Sequence, residues 1–308
     1  MALVINLGLV SQSALVKQKD LNIVAAAMQK QVVRDFGPIW SVQATVDAFE
    51  ALEDLPLGYW SIVIRDDIGF DAAGIHLDND GQPFALVSSS ADRDIWALTT
   101  SHEILEMLAD PFGNRLVAGD SPKPGQGRVA FLVEVCDPSE SAQFGYSVNG
   151  ILVSDFYTPN YFDPVVNSAT RYSFTNAIQR PRQVLRGGYL SWEDPTSGEW
   201  WQETWFGGAS SRFVSLGKLS SSQGSIRSQI DRLSSRETSA AISAGRSAAG
   251  RAGLSYALVS RATNSRADTL QVQIDAICSA SKDSLPPGGA VASKVKASKR
   301  GKARSLKK

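Results

Sequence analysis

The chain has 308 residues, 43% of them hydrophobic, with 31 basic and 31 acidic side chains. This is enough to bury one large core or two small ones. No run is long and apolar enough to span a bilayer, and two cysteines, Cys136 and Cys278, exclude a disulfide framework.

The zero net charge conceals a division. Residues 1–206 carry 13 Lys and Arg against 26 Asp and Glu, together with all seven tryptophans and both histidines; residues 207–308 carry 18 against 5. The chain is therefore expected to divide into a folded domain over 1–206, a Ser/Ala/Arg-rich region with possible helices over 207–281, and a disordered basic tail over 282–308. The apolar start has no Lys or Arg before it, unlike a Sec-type signal, and reads as a strand. With reduced thiols, this suits a cytoplasmic location.

In chain order, Val4–Val10 is expected as a buried strand. A helix capped by Asp20 or Asn22 follows to about Phe36, stopped by Gly37-Pro38. Val42–Val46 alternates as a half-exposed strand, and Tyr59–Ile64 is rich in β-branched and aromatic residues. Asp78-Asn79-Asp80-Gly81 supplies a turn between Ala73–Leu77 and Phe84–Ser88, a hairpin or bent edge strand. A second helix begins near a Ser90 or Asp92 cap, runs through Leu108 and ends at Asp110-Pro111. Val129–Val135 reads as a strand with Glu134 inside it. Asn149-Gly150 between alternating apolar residues is the preferred turn of a tight hairpin. Residues 160–202 are expected to close the domain by irregular packing of Trp192, Trp200, Trp201 and Trp205. This succession is that of an α+β fold.

The chemistry concentrates in Ser101-His102-Glu103-Ile104-Leu105-Glu106. On a helix His102 and Glu106 lie four apart and project from one side. An imidazole nitrogen and a carboxylate oxygen are acceptable zinc ligands, and a third must come from elsewhere. With two histidines in the chain, carboxylates must supply most of the set. Glu103 is placed to take a proton from an attacking water. Glu134 and Asp137 are the candidate third ligands; an unpaired carboxylate inside a strand is costly, whereas Asp137, at a turn, has a local capping role available. Asp110 serves as a helix-exit cap, and His76 as a partly buried strand histidine; both are lesser ligand candidates. Tyr146 and Tyr157 are weaker candidates as oxyanion donors. Cys136 has no base beside it in sequence and reads as structural.

Residues 101–111 with 134–138 resemble the paired signatures of zincin-like metallopeptidases, and more distantly the Exordium-like group, which carry Ser-His-Glu-x-x-Glu, then Asp-Pro, and later Glu-x-x-Asp-x-Cys. Here Cys136 precedes Asp137, a departure from the second signature. The strand–helix order before residue 101 also resembles the upper half of a zincin catalytic domain. The resemblance implies a mixed twisted sheet with an active-site helix, Zn(2+) held by His102 and Glu106, a base in Glu103, and a ligand or supporting role for Glu134 and Asp137. In a zincin the edge strand pairs with a bound peptide, and residues 72–88 are the natural candidate.

The expected function is zinc-dependent hydrolysis of a peptide bond by metal-activated water with Glu103 as general base, and two others compete: a metal-stabilised binding or structural protein on the same fold, and an assembly component docking through its C-terminal region. Lys294–Lys308 holds eight basic residues and no acid. It would contact an acidic partner or nucleic acid non-specifically.

Overall fold

The computed structural model describes residues 3–70, 72–79, 81–220, 225–231 and 233–234. The chain divides into two units, Met1–Ser260 and Arg261–Lys308, and every described residue lies in the first. The basic tail and the helices expected beyond residue 234 fall outside the described residues.

Strand β1 (Val4–Ser11) leads into helix α1 (Gln18–Lys30), then a wide π-helical turn (Gln31–Phe36) and the short helix α2 (Gly37–Trp40). Lys17, not Asp20 or Asn22, stands at the N-terminal boundary of α1, and Asp20 lies in its first turn. Gly37-Pro38 does not stop the helix, because Pro38 sits in the first turn of α2, where its missing N–H costs no bond. Ser41, in the left-handed region at φ 57°, ends it.

Strands β2 (Gln43–Ala48), β3 (Tyr59–Arg65), β4 (Gly74–Asn79) and β5 (Gln82–Ser88) complete a sheet of order β2-β1-β3-β5-β4. All its pairs are parallel except β4 with β5, so β4 is an antiparallel edge with one side unpaired by any described strand. Alternate residues Leu7, Leu9, Ile62, Ile64, Ala85 and Val87 enter one core with Leu21, Val24 and Met28 of α1. Helix α3 (Arg93–Ala109) contributes Trp96, Ala97 and Ile104 to the same core. This period-two burial is what a sheet with helices on one face requires.

Asp92 caps α3 by accepting the Asp94 N–H at 3.0 Å. Beyond α3 come β6 (Leu116–Asp120), β7 (Arg128–Leu132), and the hairpin β8 (Tyr146–Val148) and β9 (Ile151–Val153). Asn149 and Gly150 both have positive φ, as the hairpin turn demands. β7 ends at Leu132, so Glu134 lies in the irregular segment after the strand and not inside it.

The aromatic region is more regular than its composition suggests. β10 (Tyr189–Asp194), β11 (Glu199–Thr204) and β12 (Arg212–Gly217) join β7 and β6 in an antiparallel sheet of order β12-β11-β10-β7-β6. Trp192 stands opposite Trp201 across β10 and β11. The boundary expected at Phe206 therefore falls within this sheet. A helical segment over 226–231 then returns to it, burying Ile230 against Leu132 and Trp200. No helix among the described residues is long and apolar enough to cross a membrane.

Candidate metal centre

The polar face of α3 is buried. Ser101, His102, Glu103 and Glu106 are all less than one-tenth exposed, and so are Glu134, Asp137 and His76. A polar network holds the helix at its first buried turn. Ser101 Oγ donates to Gln31 Oε1 at 2.8 Å and accepts the Ser154 N–H at 2.9 Å, while Gln31 Nε2 donates to the Ser154 carbonyl at 3.0 Å. The π-helical turn presents Gln31 to α3, and the residue after β9 closes the network.

At the next residue, His102 Nε2 lies 3.2 Å from Glu106 Oε2 and 3.2 Å from Asp137 Oδ1. Asp137 begins a short 3₁₀ turn, Asp137–Ser139, and its buried carboxylate faces His102 through Oδ1 and Arg227 through Oδ2. It makes no local cap; it turns toward His102. The Cys136 N–H donates to Glu106 Oε1 at 3.2 Å and fixes that carboxylate from the opposite side. Sequence spacing thus finds His102 and Glu106, and the fold brings Asp137 to them.

His76, expected to be a partly buried strand residue, is 1% exposed and belongs to the cluster. Its Nε2 lies 3.1 Å from the Asp110 carbonyl, which can only accept, so Nε2 carries the hydrogen. The ring's other nitrogen, Nδ1, faces Glu103 Oε2 at 3.5 Å and Glu106 Oε2 at 3.9 Å. Glu103 reaches this position because Gly74 on β4 has no side chain: a Cβ there would stand 2.6 Å from Glu103 Oε1. Asp110 stands at the C-terminal boundary of α3, its backbone N–H donating to the Glu106 carbonyl, while its Oδ2 accepts the Arg115 N–H at 2.7 Å.

Arg227 completes the centre, and the sequence reading does not include it. Its guanidinium lies 2.6 Å from Glu106 Oε2 through Nη1 and also contacts Glu134, with Asp137 at 3.9 Å. Asp231, four residues on, holds Nε at 2.9 Å. The signal for this segment is the spacing of Ile226 and Ile230 in a Ser-rich stretch; nothing local ties Arg227 to the acids.

The electrostatics follow from burial. Burial disfavours a charged imidazole at His102, but Glu106 and its acidic neighbours outweigh it and hold the pKa well above the ordinary value. Burial alone would raise Glu106; Arg227 and His102 outweigh it and hold the carboxyl well below the usual range. Burial and the adjacent Glu106 push Asp137 well above its usual range. Five carboxylates, Glu103, Glu106, Glu134, Asp137 and Asp231, gather around one arginine and the His102 imidazole, whose charged form they favour. Such a surplus is costly unless protons or a cation balance it.

Three groups of side chains bring possible ligand atoms within 4.8 Å of one another: His102, Glu106 and Cys136; His76, Glu103 and Glu106; Glu106, Glu134 and Asp137. Glu106 is common to all three. Cys136 is buried, and burial pushes its thiol well above the ordinary value, which disfavours a reactive thiolate. Tyr157 is buried with its hydroxyl unpartnered, and burial, with Tyr161, Glu106 and Asp137, raises its pKa. Tyr146 instead donates to Asp35 at 2.9 Å.

Fold and centre together define an α+β protein with a buried histidine–carboxylate cluster able to hold a cation. Comparison with protein-family models, curated proteins and solved structures finds no match.

Proposed function

We propose that this protein is a zinc-dependent hydrolase of zincin-like architecture, acting on a peptide bond. One observation carries the reading: the paired 3.2 Å separations of His102 Nε2 from Glu106 Oε2 and from Asp137 Oδ1. Ligands about 2.0–2.1 Å from a tetrahedral zinc stand roughly 3.3 Å from one another. The His76 group, at 3.5 and 3.9 Å, fits less closely. The crowding of buried carboxylate oxygens around Glu106 also favours a cation. His102, Glu106 and Asp137 are accordingly assigned as ligands, with Glu134 beside them.

Bound zinc would supply Lewis acidity and make water a competent nucleophile near neutral pH. Glu103 is assigned as the general base. A proton on its carboxylate would find an acceptor in His76 Nδ1, which the ring's bond to the Asp110 carbonyl turns toward it. The Cys136 N–H holds Glu106 in place. The free edge of β4, one element from Glu103, offers backbone N–H and C=O groups to an extended peptide. The sheet order, with β4 as its antiparallel edge and β5 leading into α3, supports the zincin-like reading.

The test is Glu103→Gln in the full chain, assayed on a peptide library with zinc content measured in parallel. The reading expects cleavage by the wild type, and loss of at least a hundredfold in rate with zinc retained in the variant. Cleavage unchanged in Glu103→Gln removes the base assignment. Zinc bound without any cleavage favours the metal-stabilised binding protein, for which the anionic ligand set, weakening Lewis acidity, argues.

A further inference from the structure

We infer that Arg227 is a built-in plug that holds the place of the cation, so that zinc binding and docking of the 225–231 segment exclude each other. This rests on the metal-centre reading. The guanidinium contacts Glu106 and Glu134 and neutralises part of the charge an ion would neutralise. Glu106 Oε2 cannot serve as a zinc ligand at full strength while it holds Arg227 Nη1 at 2.6 Å.

The plug is a docked element and not a stray side chain. The Arg227 N–H donates to the Gly113 carbonyl at 3.1 Å, and the Ile226 N–H donates to Asn114 Oδ1 at 3.0 Å. Gly113, with φ 59°, makes room: a Cβ there would stand 2.7 Å from the Arg227 Cβ. Asp231 braces the guanidinium, and Ile230 anchors the segment at 1% exposure. The same anchors set its limit, since the apolar contact beneath the segment is a small cluster separate from the main core. Such a contact can be given up without unfolding the sheets. The device makes a latent centre, opened when a cation displaces Arg227 from Glu106 and Glu134 or an acidic partner draws it away.

The experiment measures zinc affinity of the full chain by competition with a chromophoric chelator, for wild type, Arg227→Lys and Arg227→Ala. Zinc should bind Arg227→Ala roughly tenfold tighter or more than wild type, the order expected when a charge-assisted hydrogen bond ceases to compete. Arg227→Lys, which keeps the charge, should stay near wild type. In a second arm, trypsin should cut wild type at Arg227–Ser228 slowly without zinc and several times faster with it. Equal zinc affinity in wild type and Arg227→Ala, or cleavage indifferent to zinc, overturns the plug and leaves the metal centre standing. No zinc binding by any of the three proteins overturns both.

Discussion

The Nε2 of His76 donates to the carbonyl oxygen of Asp110 at 3.1 Å, and that bond turns the ring's other nitrogen toward Glu103. It joins the edge strand of the first sheet to the exit of α3, so the strand and the helix carrying the candidate base are held as one unit. His76→Ala would leave a buried carbonyl unpaired and a cavity beside Glu103. Urea unfolding should show a loss of about 2–4 kcal/mol, with zinc content retained because His76 is not assigned as a ligand. Loss of zinc in this variant would move His76 into the ligand set.

Ser101 is expected to matter for stability ahead of chemistry. Its hydroxyl bridges Gln31 and the Ser154 N–H, both inside the core. Ser101→Ala leaves those two groups without it, at a cost of about 1–3 kcal/mol. The check is the denaturation midpoint, which should fall with the slope unchanged.

Gly74→Ala tests the close approach of β4 to α3. A methyl group there meets Glu103 and Thr99 at 2.6 Å, so either the carboxylate moves or the strand does. Hydrolysis should drop by at least tenfold through displacement of Glu103, while zinc stoichiometry stays at the wild-type level. A matching fall in both would indicate general loss of the fold.

The pH dependence of the zinc-free protein can be read from Glu140. Its Oε2 is shut off from water without a partner, and burial pushes the carboxyl from 4.5 up to about 7. The folded form therefore holds this proton more tightly than the unfolded chain. The stability it contributes is fully present below about pH 4.5 and is lost as pH rises through about 7. Glu140→Gln should flatten that fall by up to roughly 3 kcal/mol, less where the half-buried side chain is screened. Unfolding free energies of both proteins between pH 4.5 and 8 measure the difference.

Local signals in the sequence locate several of these elements. Asp92 before an apolar-periodic run marks α3, Asn149-Gly150 marks the β8–β9 turn, and the Asp78–Gly81 cluster marks the turn into β5. His102 and Glu106 are legible because helical geometry alone fixes neighbours four apart. The sequence does not separate Asp137 from Glu134, because a 3₁₀ turn past the end of β7 decides which carboxylate reaches His102. His76 depends on the register of β4 against β5, which no local pattern specifies. Arg227 lies 121 residues from Glu106, in a segment whose Ser-rich composition conceals its docking. The same composition shift hides β12, whose few apolar residues lean on Trp200 and its neighbours across the sheet.

His102, Glu106 and Asp137 are assigned to one shared ion, and X-ray absorption at the zinc edge of the zinc-loaded chain decides it. The expected spectrum has one zinc per chain, a nitrogen and oxygen shell at about 2.0–2.1 Å with a single imidazole, and loss of that signal in His102→Ala. A sulfur shell at about 2.3 Å, which would put Cys136 on the ion, or zinc binding indifferent to His102, would contradict it.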